Sequence, residues 1–268
     1  MKRFISLLLC CIVALCSVLP ASAMEQALIQ SEADISSESP LPSTCSESQL
    51  GCLAADAAVS VLAADFAVIP GGLLASTLER GSIFASDLLR VVPEDEQLFL
   101  YTITLPQLKT LLEYGLSLLV TDDADRIMVD ASAFDDFPQV SGFTWTYDVS
   151  APVGERVLYF RTNNNEVDLT DTTLRFTLAA PSGLLERAGL SPSQIPSSPH
   201  TVRSVLHAYL ESLELLTAPL SRTTAVGTSS YPLVDRIPIV AIAAACILIA
   251  LFASIPRIKQ KSQFSFER

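Results

Sequence analysis

Ile69–Glu96 reads IPGGLLASTLERGSIFASDLLRVVPEDE. The unbroken apolar run Phe66–Ile69 just before and into it predicts a short buried strand. Pro70-Gly71-Gly72 then turns the chain, because proline fixes its own φ and glycine adopts backbone angles closed to other residues. Ser86 is placed to cap a short helix running through Val91. Pro93 stops that helix, since it lacks an N–H and restricts the residue before it. Glu94, Asp95 and Glu96 follow as three adjacent carboxylates.

Upstream, Ser48 caps a predicted helix from about Gln49, with Leu50, Leu53, Ala54, Ala57, Val61 and Leu62 recurring at helical spacing. Downstream, Gln97–Thr104 is a second strand. Thr104 and Gln107 form a capping box for a helix carrying Leu108, Leu111, Leu112 and Leu119. Strands are expected at Gln139–Asp148, Arg156–Arg161 and Thr173–Ala180. Asn163-Asn164-Asn165 is a turn cluster, Leu190–His200 a Ser/Pro linker, and Val202, Val205, Leu206, Tyr209, Leu210 and Leu213 one apolar helix face. Helices and strands interspersed without a repeat predict an α+β fold, a mixed sheet layered with helices.

The ends carry signals of another kind. Met1-Lys2-Arg3, the apolar run Phe4–Leu19 and Ala21-Ser22-Ala23 have the layout of a secretory signal peptide over residues 1–23; an uncleaved anchor is the alternative. Residues 24–44, rich in Ser, Glu and Pro, are expected to be flexible. A domain over 45–220 and a polar stalk over 221–236 come next. Ile237–Ile255 is uncharged and long enough to span a bilayer, and Arg257, Lys259 and Lys261 after it mark the cytoplasmic side. The expected topology is a cell-membrane protein with one span, its domain outside and residues 256–268 cytoplasmic.

The chain has 268 residues, half of them hydrophobic and 17% charged, so it can bury a sizeable core. Its net charge is −12; Lys2 and Arg3 contribute +2 and the tail +3, leaving −17 on the stretch between. Such a surface repels phosphate backbones, which argues against nucleic acid as a partner. Of six cysteines only Cys45 and Cys52 fall in the expected outer domain. An oxidising compartment permits a disulfide between them, with Cys52 as a buried helix residue the alternative.

Other candidates reduce to plainer readings. Asp122, Asp123 and Asp125 lack the Gly and Glu spacing of an EF-hand and read, with Asp135 and Asp136, as solvated acidic turns. Ser182 beside Gly183 lacks the surroundings of a nucleophile elbow. Phe143, Trp145 and Tyr147 share one strand face and read as core. Arg80, Arg90 and Arg156 read as surface partners of carboxylates.

Glu47-Ser-Gln-Leu-Gly51 with Leu53-Ala-Ala-Asp-Ala57 resembles the opening of the C-terminal domain of the 5′-nucleotidase family. Ala64-Asp-Phe-Ala-Val-Ile69 with Gly71-Gly72, Gly81-Ser-Ile83, Asp87-Leu88, Val92-Pro93, Gln139-Val-Ser-Gly142, Tyr147-Asp148 and Gly154-Glu-Arg-Val157 continue the resemblance in order, to about residue 237. The resemblance implies a nucleotide-binding domain that works beside a separate metallophosphatase domain holding two metal ions. That second domain is expected to be missing, and His200 and His207 alone cannot supply a di-metal ligand set.

The ligand residues implied by the resemblance are substituted. The family's GG-I-R arginine falls on Leu74, with the turn Gly71-Gly72 retained. In P-F-x-N the stacking phenylalanine falls on Glu94 and the asparagine on Glu96. The G-G-D-G-[YF] run is replaced by a stretch beginning at Pro181. The expectation is a membrane-anchored extracytoplasmic domain, catalytically silent, with a binding or structural role, no catalytic residue, no metal and no cofactor. The alternative is an accessory subunit of an extracellular nucleotide hydrolase whose metal domain is a separate chain. A pocket repurposed for a cationic or apolar ligand is a third reading. Expected partners are the membrane and either a separate metallophosphatase or another surface protein.

Overall fold

Alternation along Phe66–Pro70 sets the layering. Phe66 and Val68 belong to one buried cluster, Ala67 and Ile69 to another on the opposite side of the strand. A computed structural model of the protein describes residues 25–38, 41–121, 127–129, 135–163 and 165–226. The elements run β1 (Ile29–Ser31), β2 (Ile35–Ser36), α1 (Gln49–Leu62), β3 (Phe66–Pro70), a 3-10 turn (Gly71–Leu73), β4 (Thr77–Leu78), β5 (Gly81–Ile83) and α2 (Ala85–Val91). They continue through β6 (Gln97–Ile103), α3 (Leu105–Leu116), β7 (Leu119–Thr121), β8 (Ile127–Val129), β9 (Pro138–Ser141), β10 (Thr144–Asp148), β11 (Val157–Thr162) and β12 (Asn165–Glu166). Last come β13 (Phe176–Pro181), α4 (Ser182–Arg187), β14 (Ser193–Thr201), α5 (Val202–Ser212) and β15 (Thr223–Val226).

The central sheet has the order β14-β6-β13-β3-β9, with β13 parallel to β3 and the other pairs antiparallel, so it is mixed. One face carries α1, α2 and α5, whose Leu50, Leu53, Leu88, Val205 and Leu206 close the first core. The other face meets α3 and a four-stranded sheet, β12-β11-β10-β15. There Phe143, Trp145 and Tyr147 are buried together, as their spacing implied. The fold is α+β in three layers.

Local chemistry explains the boundaries. The Ser48 hydroxyl accepts from Gly51 N–H at the start of α1, and Thr104 and Gln107 cap α3 reciprocally. Ser86 does not cap α2. The cap is Phe84, whose N–H donates to Asp87 Oδ2 at 2.9 Å, while the Ser86 hydroxyl donates to Glu25. The expected single strand Gln139–Asp148 is two, broken at Gly142. Its φ of +91° and the closeness of Asp65 O, 2.0 Å from where a Cβ would lie, admit glycine alone.

Three segments expected to be irregular are ordered. Within residues 24–44, β1 pairs with β5 and β2 with β4, and Ile29 and Ile35 are buried in the core. Within Leu190–His200, the backbone is used instead as edge strand β14, whose Pro196–Pro199 bulge interrupts pairing to β6. The stalk from 221 onward begins as β15, parallel to β10. Arg222 holds it there: its guanidinium donates to both Asp56 oxygens at 2.8 Å, and its N–H to Glu47 Oε1 at 2.7 Å.

One buried polar group also corrects the sequence reading. Arg156 is a core residue, 7% exposed, donating to the carbonyls of Leu116, Leu119 and Ala151 and so satisfying the end of α3. Cys45 and Cys52 are free thiols, both buried, Cys52 inside α1. No described helix is long and apolar enough to cross a membrane. The expected leader 1–23 and span 237–255 lie outside the described residues.

Candidate functional site

A cleft of about 350 Å³ opens where β3, β6 and α4 meet the end of α3. Its walls include Gly72, Glu94, Glu96, Tyr114, Asp136 and Arg187. Thus three of the positions singled out in the sequence, Gly72, Glu94 and Glu96, do come together. Leu74 does not join them. It is 5% exposed and belongs to the core under α1, while Leu73 takes the wall position. Pro181 ends β13, opposite Leu98 of β6, and is buried and not part of the cleft's lining.

The glycine turn is committed to its own chain. Gly71 N–H donates to Phe137 O at 2.9 Å and Gly72 N–H to Asp135 O at 2.8 Å. A Cβ on Gly72 would lie 2.1 Å from Asp135 Cβ, and one on Gly71 1.9 Å from Ser43 O. Close backbone approach therefore accounts for both glycines, and these two amides are not turned toward an anion.

The cleft's electrostatics centre on Asp136. It is not a solvated turn residue: it is 6% exposed, and Arg187 donates Nε and a terminal nitrogen to its two oxygens, each at 2.7 Å. Tyr114 donates its hydroxyl to the same carboxylate at 2.8 Å. Hydrogen bonding to Asp136 holds the Arg187 pKa above its ordinary value. Burial, then the Asp136 hydrogen bond, raises that of Tyr114. Four carboxylates (Glu94, Glu96, Asp135, Asp136) against one guanidinium leave the lining formally at −3. Asp95, between the two glutamates, turns away and pairs with Arg203 of α5.

Tyr114, Asp136 and Arg187 were not assigned to this site from sequence. They lie 22 and 51 residues apart and carry no local spacing that links them. Neither His200 nor His207 lines the cleft; His200 lies on β14 opposite Leu98, and His207 pairs with Glu211 on α5. Among the described residues no three His, Cys, Asp or Glu side chains are grouped to hold a metal ion. Asp122, Asp123 and Asp125 fall outside the described residues.

The family model described as 5′-nucleotidase, C-terminal domain, matches residues 29–189, and the chain belongs to that family. The match takes in β1 and β2, in agreement with their packing. Among solved structures, a 5′-nucleotidase precursor from Thermus thermophilus is 20% identical with a TM-score of 0.63, covering 77% of this chain and 40% of that one. Sulfate thiohydrolase SoxB from the same organism, in complex with glycerol, is 21% identical with a TM-score of 0.58, covering 77% and 36%. The NAD nucleotidase of Haemophilus influenzae is 13% identical with a TM-score of 0.53, covering 74% and 36%. At these identities the likeness is one of fold. The chain spans about two fifths of the length of the solved proteins it matches. No curated protein sequence matches it.

Proposed function

We propose that this is a membrane-anchored, extracytoplasmic member of the family that does not hydrolyse nucleotides itself and serves a binding or structural role. The supporting observation is the cleft's charge: its one guanidinium is bonded to Asp136, and Glu94, Glu96 and Asp135 add further carboxylates. At an effective dielectric of about 20, a phosphate charge about 6–8 Å from one carboxylate is opposed by roughly 2–3 kcal/mol. Glu94 stands where the resemblance sets a stacking ring, which forfeits about 1–3 kcal/mol more; Tyr114, the aromatic residue of the lining, is tied by its hydroxyl to Asp136. Micromolar affinity is only about −8 kcal/mol, so these two losses remove much of it. The anchoring half of the proposal is supported by the uncharged run Ile237–Ile255 and its basic flank.

Calorimetry on the purified protein with AMP, adenosine and UDP-glucose tests the reading, which expects no micromolar binding. Binding in that range would overturn it and favour the accessory-subunit alternative, in which a separate metallophosphatase chain supplies the metals.

A further inference from the structure

We infer that the β10–β11 hairpin end of the four-stranded sheet is the pole of the domain that faces the bilayer. This rests on the membrane anchor proposed above. The chain leaves the described domain along β15, which runs parallel to β10 with Val226 beside Asp148. Asp148 opens the hairpin: its N–H donates to Arg156 O at 2.9 Å, and residues 149–155 form the tip. The exit point and the hairpin are therefore on the same end of the sheet.

β15 is held too firmly to serve as slack. Arg222 is bound to Asp56 and Glu47, Trp145 N–H donates to Arg222 O at 2.9 Å, and Trp145 Nε1 donates to Thr223 Oγ1 at 2.9 Å. Only residues 227–236 separate this clamp from the uncharged run at Ile237. Ten residues reach at most about 35 Å even when fully extended. A domain of about 200 residues is about 40 Å across, so a path over its surface to the opposite pole is roughly 60 Å. The tether cannot make that journey.

The hairpin tip suits a lipid surface. Pro152 and Val153 are exposed, Val153 at 60%, and Glu155 is the one charged residue from Val149 to Glu155. An anionic bilayer repels carboxylates, so Asp148, Glu155 and the neighbouring Asp168 and Asp171 favour contact by the apolar tip alone, with an uncharged lipid surface. Helix α3 ties the cleft to the same pole: Glu113 accepts from the N–H groups of Arg156 and Val157 at the hairpin base, and the next residue is Tyr114 of the cleft.

The full chain reconstituted into liposomes with acceptor-labelled head groups tests the orientation. A donor dye is placed at the tip by Val153→Cys or at the far end of the same sheet by Asn165→Cys, both exposed positions. Cys45 and Cys52 are buried, and unsubstituted chain gives the labelling background. Energy transfer at least twofold stronger from position 153 than from 165 is expected, with unchanged melting of both variants. Equal transfer, or the reverse order, in protein that resists alkaline carbonate extraction overturns the orientation alone. Release of the unsubstituted chain by carbonate overturns the anchor and the orientation together.

Discussion

The sequence resemblance sets Leu74 against the family's arginine, yet its side chain lies in the core, and Leu74→Arg separates these two descriptions. The substitution removes a buried leucine worth roughly 1.5–3 kcal/mol of transfer free energy. It also places a guanidinium, which cannot neutralise itself by losing a proton, among Leu78, Leu88 and Val91. Burying such an ion without a partner costs several kcal/mol even after relaxation. A net loss of about 4–6 kcal/mol is expected, a large part of a typical domain's stability. For a domain of this size that lowers the melting temperature by roughly 10–20 °C. Leu74→Met, which conserves volume, is expected to cost less than about 1.5 kcal/mol. Urea titration and thermal melting followed by circular dichroism read both. An arginine variant as stable as the parent would show that position 74 opens onto the cleft, and would refute the assignment of Leu74 to the core.

Two further outcomes follow from the same structure. Gly72→Ala drives a methyl against Asp135 and is expected to cost about 1–3 kcal/mol by overpacking; an unchanged urea midpoint would show that the 135–137 segment is not packed on the turn. Burial pushes the Cys45 thiol up to about 11 and, with Glu47 adding to it, Cys52 up to about 12. Their folded pKa values exceed the unfolded one, so the stability they contribute is whole below about pH 9 and is lost as pH rises through the folded values. Melting is therefore expected to fall between about pH 9 and pH 11, with both thiols closed to reagent until denaturant is added; rapid labelling of the folded protein at neutral pH would contradict this.

The fold was legible wherever the signal was local. Ser48 and the Thr104–Gln107 pair announced α1 and α3 because capping is read over three or four residues. The apolar run at Phe66 announced β3 in the same way. β1 and β2 were not legible: they are three and two residues long, and their pairing to β5 and β4 depends on contacts some 40 to 55 residues away. β14 was hidden by its polar, proline-bearing sequence, which suits an edge strand as well as a linker. β15 depends on Arg222 reaching Asp56, 166 residues back.

The cleft divides the same way. Glu94 and Glu96 were visible as departures from the family's motif, and the structure puts both on the wall. Leu74 was visible as a departure too, but its orientation into the core is a tertiary fact. Asp136 was misread as solvated because nothing near it in sequence reveals Arg187 or Tyr114. A carboxylate's burial is decided by its partners, and here they come from α3 and α4.

The proposed function rests on a cleft without affinity for nucleotides. Titration of AMP into the purified protein by isothermal calorimetry tests it most directly. The account predicts no saturable heat at micromolar concentrations, with adenosine and UDP-glucose behaving alike. A saturable isotherm for AMP with a micromolar Kd, abolished by Arg187→Ala, would contradict it and make the cleft a nucleotide-binding site.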